Sequence, residues 1–208
     1  MPLIAPKSNR APRASRAPKS PLDDLRAPDP GSRRTAARAL LGTTAARGAL
    51  EAALRLETDP AVRQALLSAL VSVADDTVVE LFAEMLRSEE ASHRSEAVSA
   101  LQQLPETAAQ VIVGLLHAED ADLRIMAVDV IRLLPHADAP VWLRDLLSKE
   151  THPNVVGVAV DRLAEIGGAD DLPALQAVRS RFADDPYLAF ATDLVIERIV
   201  TLAREASG

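Results

Sequence analysis

Asp59-Pro60-Ala61-Val62-Arg63-Gln64-Ala65-Leu66 and Asp120-Ala121-Asp122-Leu123-Arg124-Ile125-Met126-Ala127 share one pattern: an acidic turn residue, an apolar residue, an arginine, then apolar positions at helical spacing. With the arginine as anchor, the frame extends to Arg33, Arg63, Arg94 and Arg124, and then to Val156 and Ala189 in the same slot. The separations are 30, 31, 30, 32 and 33 residues. Three residues after the anchor stand Ala36, Leu66, Ala97, Ala127, Ala159 and Thr192. Seven after it stand Leu40, Leu70, Leu101, Ile131, Leu163 and Ile196. Apolar positions at −1, +3, +7 and +10 trace a single helix face. Six copies at one period mark a repeat architecture.

A second helix set lies between these. Met85-Leu86, Leu115-Leu116 and Leu146-Leu147 are each preceded one turn earlier by Leu81-Phe82, Val111-Ile112 and Trp142-Leu143. Prolines stand where helices begin or between them, as helix punctuation requires. The spacing predicts first helices near 45–57, 77–87, 106–117, 139–148 and 171–182. Second helices follow near 61–73, 92–104, 122–134, 154–166 and 187–204, with an unpaired helix near 32–42.

Composition agrees with an all-α chain. Of 208 residues, 48% are hydrophobic but only 2% aromatic, so the core must be Ala, Leu, Val and Ile packed in close helices. The absence of cysteine excludes disulfides, thiolate metal sites and thiol nucleophiles. Without a long apolar run or an apolar N-terminal stretch, a cytoplasmic location is the expectation.

Half of the 14 prolines fall in the first 30 residues. Residues 1–30 therefore read as a disordered basic arm, and residues 31–208 as the folded unit. Ala5-Pro6-Lys7, Ala11-Pro12-Arg13 and Ala17-Pro18-Lys19 recur, and Lys7, Arg10, Arg13, Arg16 and Lys19 meet no acidic residue before Asp23. This is a basic, polyproline-like strip. Six basic residues against three acidic ones give the arm +3; the chain's net charge is −7, so the body carries −10.

The two-helix unit of about 30 residues, with Asp-x-x-Val-Arg-x-x-Ala-like starts to its second helices, resembles the HEAT-like repeats of the phycobilisome-lyase type, common in bacterial proteins. The resemblance spans roughly 31–204. It implies a right-handed α-solenoid of about five two-helix HEAT-like repeats plus an N-terminal half-repeat helix. It also implies arginines that tie adjacent repeats together, a pattern intact at Asp59/Arg63 and Asp120/Arg124, shifted at Glu90/Arg94 and lost at Val156 and Ala189.

Catalytic and metal chemistry find little support. His93, His117, His136 and His152 have no ligand spacing, and none precedes a Glu as in the HEAT-like deoxyhypusine hydroxylases. His93 occupies an apolar slot, whereas His136 and His152 fall in turns, where exposure is expected. No phosphate-binding or nucleophile-elbow motif is present. The acidic groups at 75–76, 89–90, 119–122, 170–171 and 184–185 each precede a helix and are expected to cap it. No cofactor is expected, and an acidic body without a basic row disfavours duplex DNA.

The candidate site comes from second-helix positions that should face out. Slots +1, +2, +5 and +9 are polar in the early copies but become Ile125, Met126, Asp129, Leu133, then Gly157, Val158, Asp161, Glu165, then Phe190, Ala191, Leu194, Arg198. Ile125, Met126, Val158 and Phe190, flanked by Asp129 and Asp161, would form an apolar groove with an acidic rim. The other reading makes Phe190 and Leu194 end-capping core. If the groove is real, Met126→Asp or Val158→Asp should abolish binding with melting near wild type. The expected function is a non-enzymatic adaptor binding a partner's amphipathic helix or basic-apolar peptide. The alternatives are bilin attachment, implied by the family resemblance, or nucleic-acid association through the arm. Self-association across the apolar row is also open.

Overall fold

The computed structural model describes residues 20–205. They form twelve α-helices and no strand: α1 (Pro21–Asp24), α2 (Pro30–Ala39), α3 (Arg47–Leu56), α4 (Pro60–Val71), α5 (Asp76–Met85), α6 (Ala91–Leu101), α7 (Pro105–Leu116), α8 (Ala121–Ile131), α9 (Ala139–Lys149), α10 (Pro153–Ile166), α11 (Leu172–Arg181) and α12 (Pro186–Glu205). Each odd helix packs on the even helix that follows. The even helices also pack in succession, α2 on α4 through to α10 on α12, while α5, α7, α9 and α11 form the second layer. The result is an α-solenoid.

Local chemistry fixes where the helices start. Proline occupies the first turn of α2, α4, α7, α9, α10 and α11, where its missing N–H costs nothing. Aspartates just before the helices accept main-chain hydrogen bonds: Asp29 from Ser32, Asp59 from Ala61 and Val62, Asp75 from Val78, Asp120 from Asp122, Asp185 from Tyr187 and Leu188. Carboxylates thus cap α5, α8 and α12 as expected, but Glu90 accepts no N–H at the start of α6, and Asp171 accepts the Gly168 N–H instead of capping α11.

The core follows the periodic slots. Leu40, Leu70, Leu101, Ile131 and Leu163 are buried, as are Ala36, Leu66, Ala97, Ala127, Ala159 and Thr192. Phe82, Ile112 and Leu143 of the odd helices close the other side. Thr192 alone brings a hydroxyl into that alanine-rich slot, and its Oγ1 has no hydrogen-bond partner. An unmet buried hydroxyl costs about 1–3 kcal/mol. Thr192→Val therefore raises the thermal midpoint by roughly 2–4 °C, measured by circular dichroism; an unchanged or lower midpoint would contradict this.

Two expectations change at the N-terminus. Residues 20–29, assigned from sequence to a disordered arm, are instead ordered. Ser20 accepts the Leu22 N–H to start α1, α1 packs on α2, and Leu25 is buried. The apolar pair Leu22 and Leu25 supplies the contact that a purely proline-based reading overlooks. Helix α2 accordingly has a one-turn partner and is not alone. The basic strip through Lys19 lies outside the described residues. His136, expected in an exposed turn, lies half-buried on Trp142, ring centroids 4.4 Å apart.

Candidate functional site

The anchor arginines are structural clamps. Nη1 of Arg33, Arg94 and Arg124 donates to the two main-chain oxygens five and six residues earlier. Arg63 does the same to Leu54 and Glu57. Where the next copy places a glutamate at the end of its odd helix, the same arginine reaches it: Arg33 pairs with Glu57, and Arg124 with Glu150 at 2.6 Å. Arg63, lacking such a neighbour, turns to Glu96 on α6. Glu57 and Glu150 each accept two further N–H bonds from the turn that follows. Hydrogen bonding from Arg33 holds the Glu57 carboxyl below its ordinary pKa. Burial pushes Glu150 up, but the bonds from Arg124 and the His152 and Thr151 amides outweigh it, and the net shift is downward. These glutamates, six residues before the anchors Arg63 and Val156, are legible only once the arginine is known to bridge copies.

The even helices present the candidate groove. Between α8 and α10 a cleft of about 270 Å³ is lined by Val128, Asp129, Arg132, Val158, Asp161, Arg162 and Glu165. It brings together three of the residues singled out from sequence, Asp129, Val158 and Asp161. Asp129 and Asp161 are exposed and Val158 is half-buried against the core. Ile125 and Met126 are also half-buried against the core and do not line this cleft. Met126 occupies the slot that Val158 holds in the next copy.

Phe190 stands one helix further on, 64% exposed, with Leu194 at 50% and Tyr187 beside it on the same face of α12. That exposure overturns the end-capping reading of Phe190 and Leu194: the core side of α12 is Leu188, Thr192, Val195 and Ile199. Tyr187 and Leu188 stand 3.8 and 3.6 Å from where a Cβ on Gly157 would lie, ordinary contact distances, so α12 packs directly on α10 at this point.

Arg162 is the residue sequence reasoning missed. It occupies the slot that holds buried Ala69, Ala100, Val130 and Val195 in other copies, and is itself 4% exposed. Its guanidinium donates to the Arg132 carbonyl and pairs with Glu165, while its Nε finds no acceptor. A charge in an otherwise apolar slot was visible in the alignment of copies.

The face changes character along its length. Between α4 and α6 the polar lining of the cleft is Gln64, Ser68, Ser92, Ser95, Ser99, Gln103 and the Arg63-bound Glu96, with no lysine or arginine. A larger cleft of about 460 Å³ contains Arg55, Arg63 and Arg87, but Arg55 is held by Glu84, Arg63 by Glu96 and Arg87 by the Ala83 carbonyl. No helix among the described residues is long and apolar enough to cross a membrane.

A family model described as HEAT repeats matches residues 20–102 and 108–191. No curated protein matches the chain. Among solved structures, a designed armadillo repeat protein in complex with the peptide (KR)4 is similar at 18% identity and a TM-score of 0.45, covering 88% of this chain and 100% of that one. An engineered protein is similar at 20% identity and a TM-score of 0.40, covering 87% of this chain and 95% of the other.

Proposed function

The chain belongs to the HEAT repeat family, and from that membership we propose that it is a scaffold whose concave face, from α8 to α12, receives a partner segment carrying Lys or Arg beside apolar anchors. Solenoids of stacked helix pairs mediate protein–protein interaction through their extended concave surfaces. The observation that carries the finer reading is the adjacency of the Asp129/Asp161 cleft, floored by Val158, to the exposed Tyr187, Phe190 and Leu194 stripe on α12. An apolar patch rimmed by two carboxylates that no ion pair engages, with Arg132 as the one exposed cation of the same lining, suits an amphipathic, basic ligand. The carboxylates select charge and the aromatics supply buried area.

A fluorescent octapeptide of alternating Leu and Lys tests this by anisotropy. Binding on the order of 10 µM is expected, weakened about tenfold by Asp161→Lys and by Phe190→Asp, and unaltered by Glu80→Lys at an exposed position of α5 in the other layer. Both positions are exposed, so the variants should stay folded. Equal binding to all three variants would reject the groove.

A further inference from the structure

The basic strip preceding Ser20 matches the solenoid in charge and in period. Lys7, Arg10, Arg13, Arg16 and Lys19 are three residues apart, with prolines at 6, 12 and 18. Polyproline II geometry has three residues per turn and rises about 3.1 Å per residue, so in it these five cations share one side, roughly 9 Å apart. Packed helices of successive repeats are about 8–10 Å apart. One cation per helix layer is the natural fit of such a strip laid across the even helices.

We propose that residues 7–13 of this chain dock in its own α8–α10 cleft, with Arg10 and Lys7 at Asp129 and Asp161. The inference rests on the reading of that cleft as a site for basic segments. Reach supports it. The strip joins the solenoid at α1, beside α2, and α8 and α10 lie three and four even-helix layers on, roughly 30–40 Å away. Ten residues back from Ser20 span about 31 Å in polyproline II, and thirteen span about 40 Å. These are the positions of Arg10 and Lys7.

The intervening surface directs the strip to that destination. Helix α2 carries exposed Arg34 and Arg38, which repel the strip near its root. The α4–α6 cleft offers serine and glutamine side chains, and its one carboxylate, Glu96, is already held by Arg63, so it can bond an extended backbone without holding its charges. Only at α8 and α10 do Asp129 and Asp161 appear, and no ion pair among the described residues engages either.

The chain has no cysteine, so Ala11→Cys gives one clean attachment point for a nitroxide on the full-length protein. At low salt, amides of 126–133 and 158–165 should lose at least half their intensity relative to the reduced label. The loss should persist on tenfold dilution, disappear in 0.5 M NaCl, and disappear in the Asp129→Asn/Asp161→Asn double variant. Amides that stay sharp, broadening centred on α2 to α4, or broadening that fades with dilution would each overturn docking within the chain. If the Leu-Lys octapeptide still perturbs the groove amides of a chain whose label leaves them sharp, the groove stands and the strip's docking falls. Amides insensitive to both remove both readings.

Discussion

Leu101→Asp will unfold the centre of the solenoid. Leu101 is fully buried on α6, in a slot that is Leu or Ile in every copy, with no donor placed to receive a carboxylate. The substitution removes a packed side chain, at about 2–5 kcal/mol, and adds an unpaired buried charge at several more. Because each repeat contacts only its neighbours, the damage falls on α5 to α8 before it reaches the ends. Hydrogen exchange should show protection lost there first, and thermal melting should broaden or fall by more than 10 °C. Phe190→Asp introduces the same charge at an exposed site and should change stability by about 0.5 kcal/mol or less. Similar losses in both variants would mean that the faces of the even helices are wrongly assigned. Met126→Asp and Val158→Asp fall between these limits, because both side chains are half-buried against the core. The sequence-based expectation of near-wild-type melting is therefore withdrawn for them.

Glu150→Gln tests the clamp between copies. Its carboxylate is 5% exposed and receives Arg124 through two hydrogen bonds plus two main-chain N–H groups. Neutralising it leaves Arg124 without its counter-charge, and breaking a largely buried pair costs about 3 kcal/mol. The sign of the pH dependence follows from the lowered pKa. The folded state binds its proton less readily than the unfolded chain, whose glutamate titrates near 4.5. The contribution is thus fully present above about pH 4.5 and is lost as pH falls below it toward the folded value. Glu57, likewise lowered, adds to the same acid limb. Wild type should lose stability in urea titrations as pH falls below about 4.5, and Glu150→Gln should be less stable at pH 7 with a shallower acid limb. Parallel pH profiles for the two proteins would show that the pair contributes nothing to folding.

Period, face and helix order were legible because they rest on spacings that six copies repeat independently. Hydrophobic periodicity reports burial directly, and proline and aspartate mark starts by local bonding that needs no tertiary context. The candidate site was legible in part for the same reason: Asp129, Val158 and Asp161 stand in slots that the frame turns outward. What the sequence hid depends on contacts between copies. Glu57 and Glu150 read as ordinary helix-end residues until an arginine of the preceding copy is seen to reach them. Leu22 and Leu25 are too few to announce a helix, yet suffice to hold one turn against α2. The depth of Ile125 and Met126 is set by how closely neighbouring helices approach, which a period cannot convey.

The clamps are unevenly spaced along the molecule. Arg33, Arg63 and Arg124 each bind a carboxylate from the copy ahead, but the side chain of Arg94 holds main-chain oxygens of Ser88 and Glu89, within its own turn. Across that junction the α6 to α8 connection is an uncharged bond, Gln102 to the Asp129 carbonyl, at 2.9 Å. The junction near α6 and α7 is therefore held by apolar packing and one neutral bond, without the charged clamp of its neighbours, and bending there would carry the Asp129 backbone with it. A ligand gripping α8 and α10 would therefore feel the elasticity of that junction as part of its own affinity.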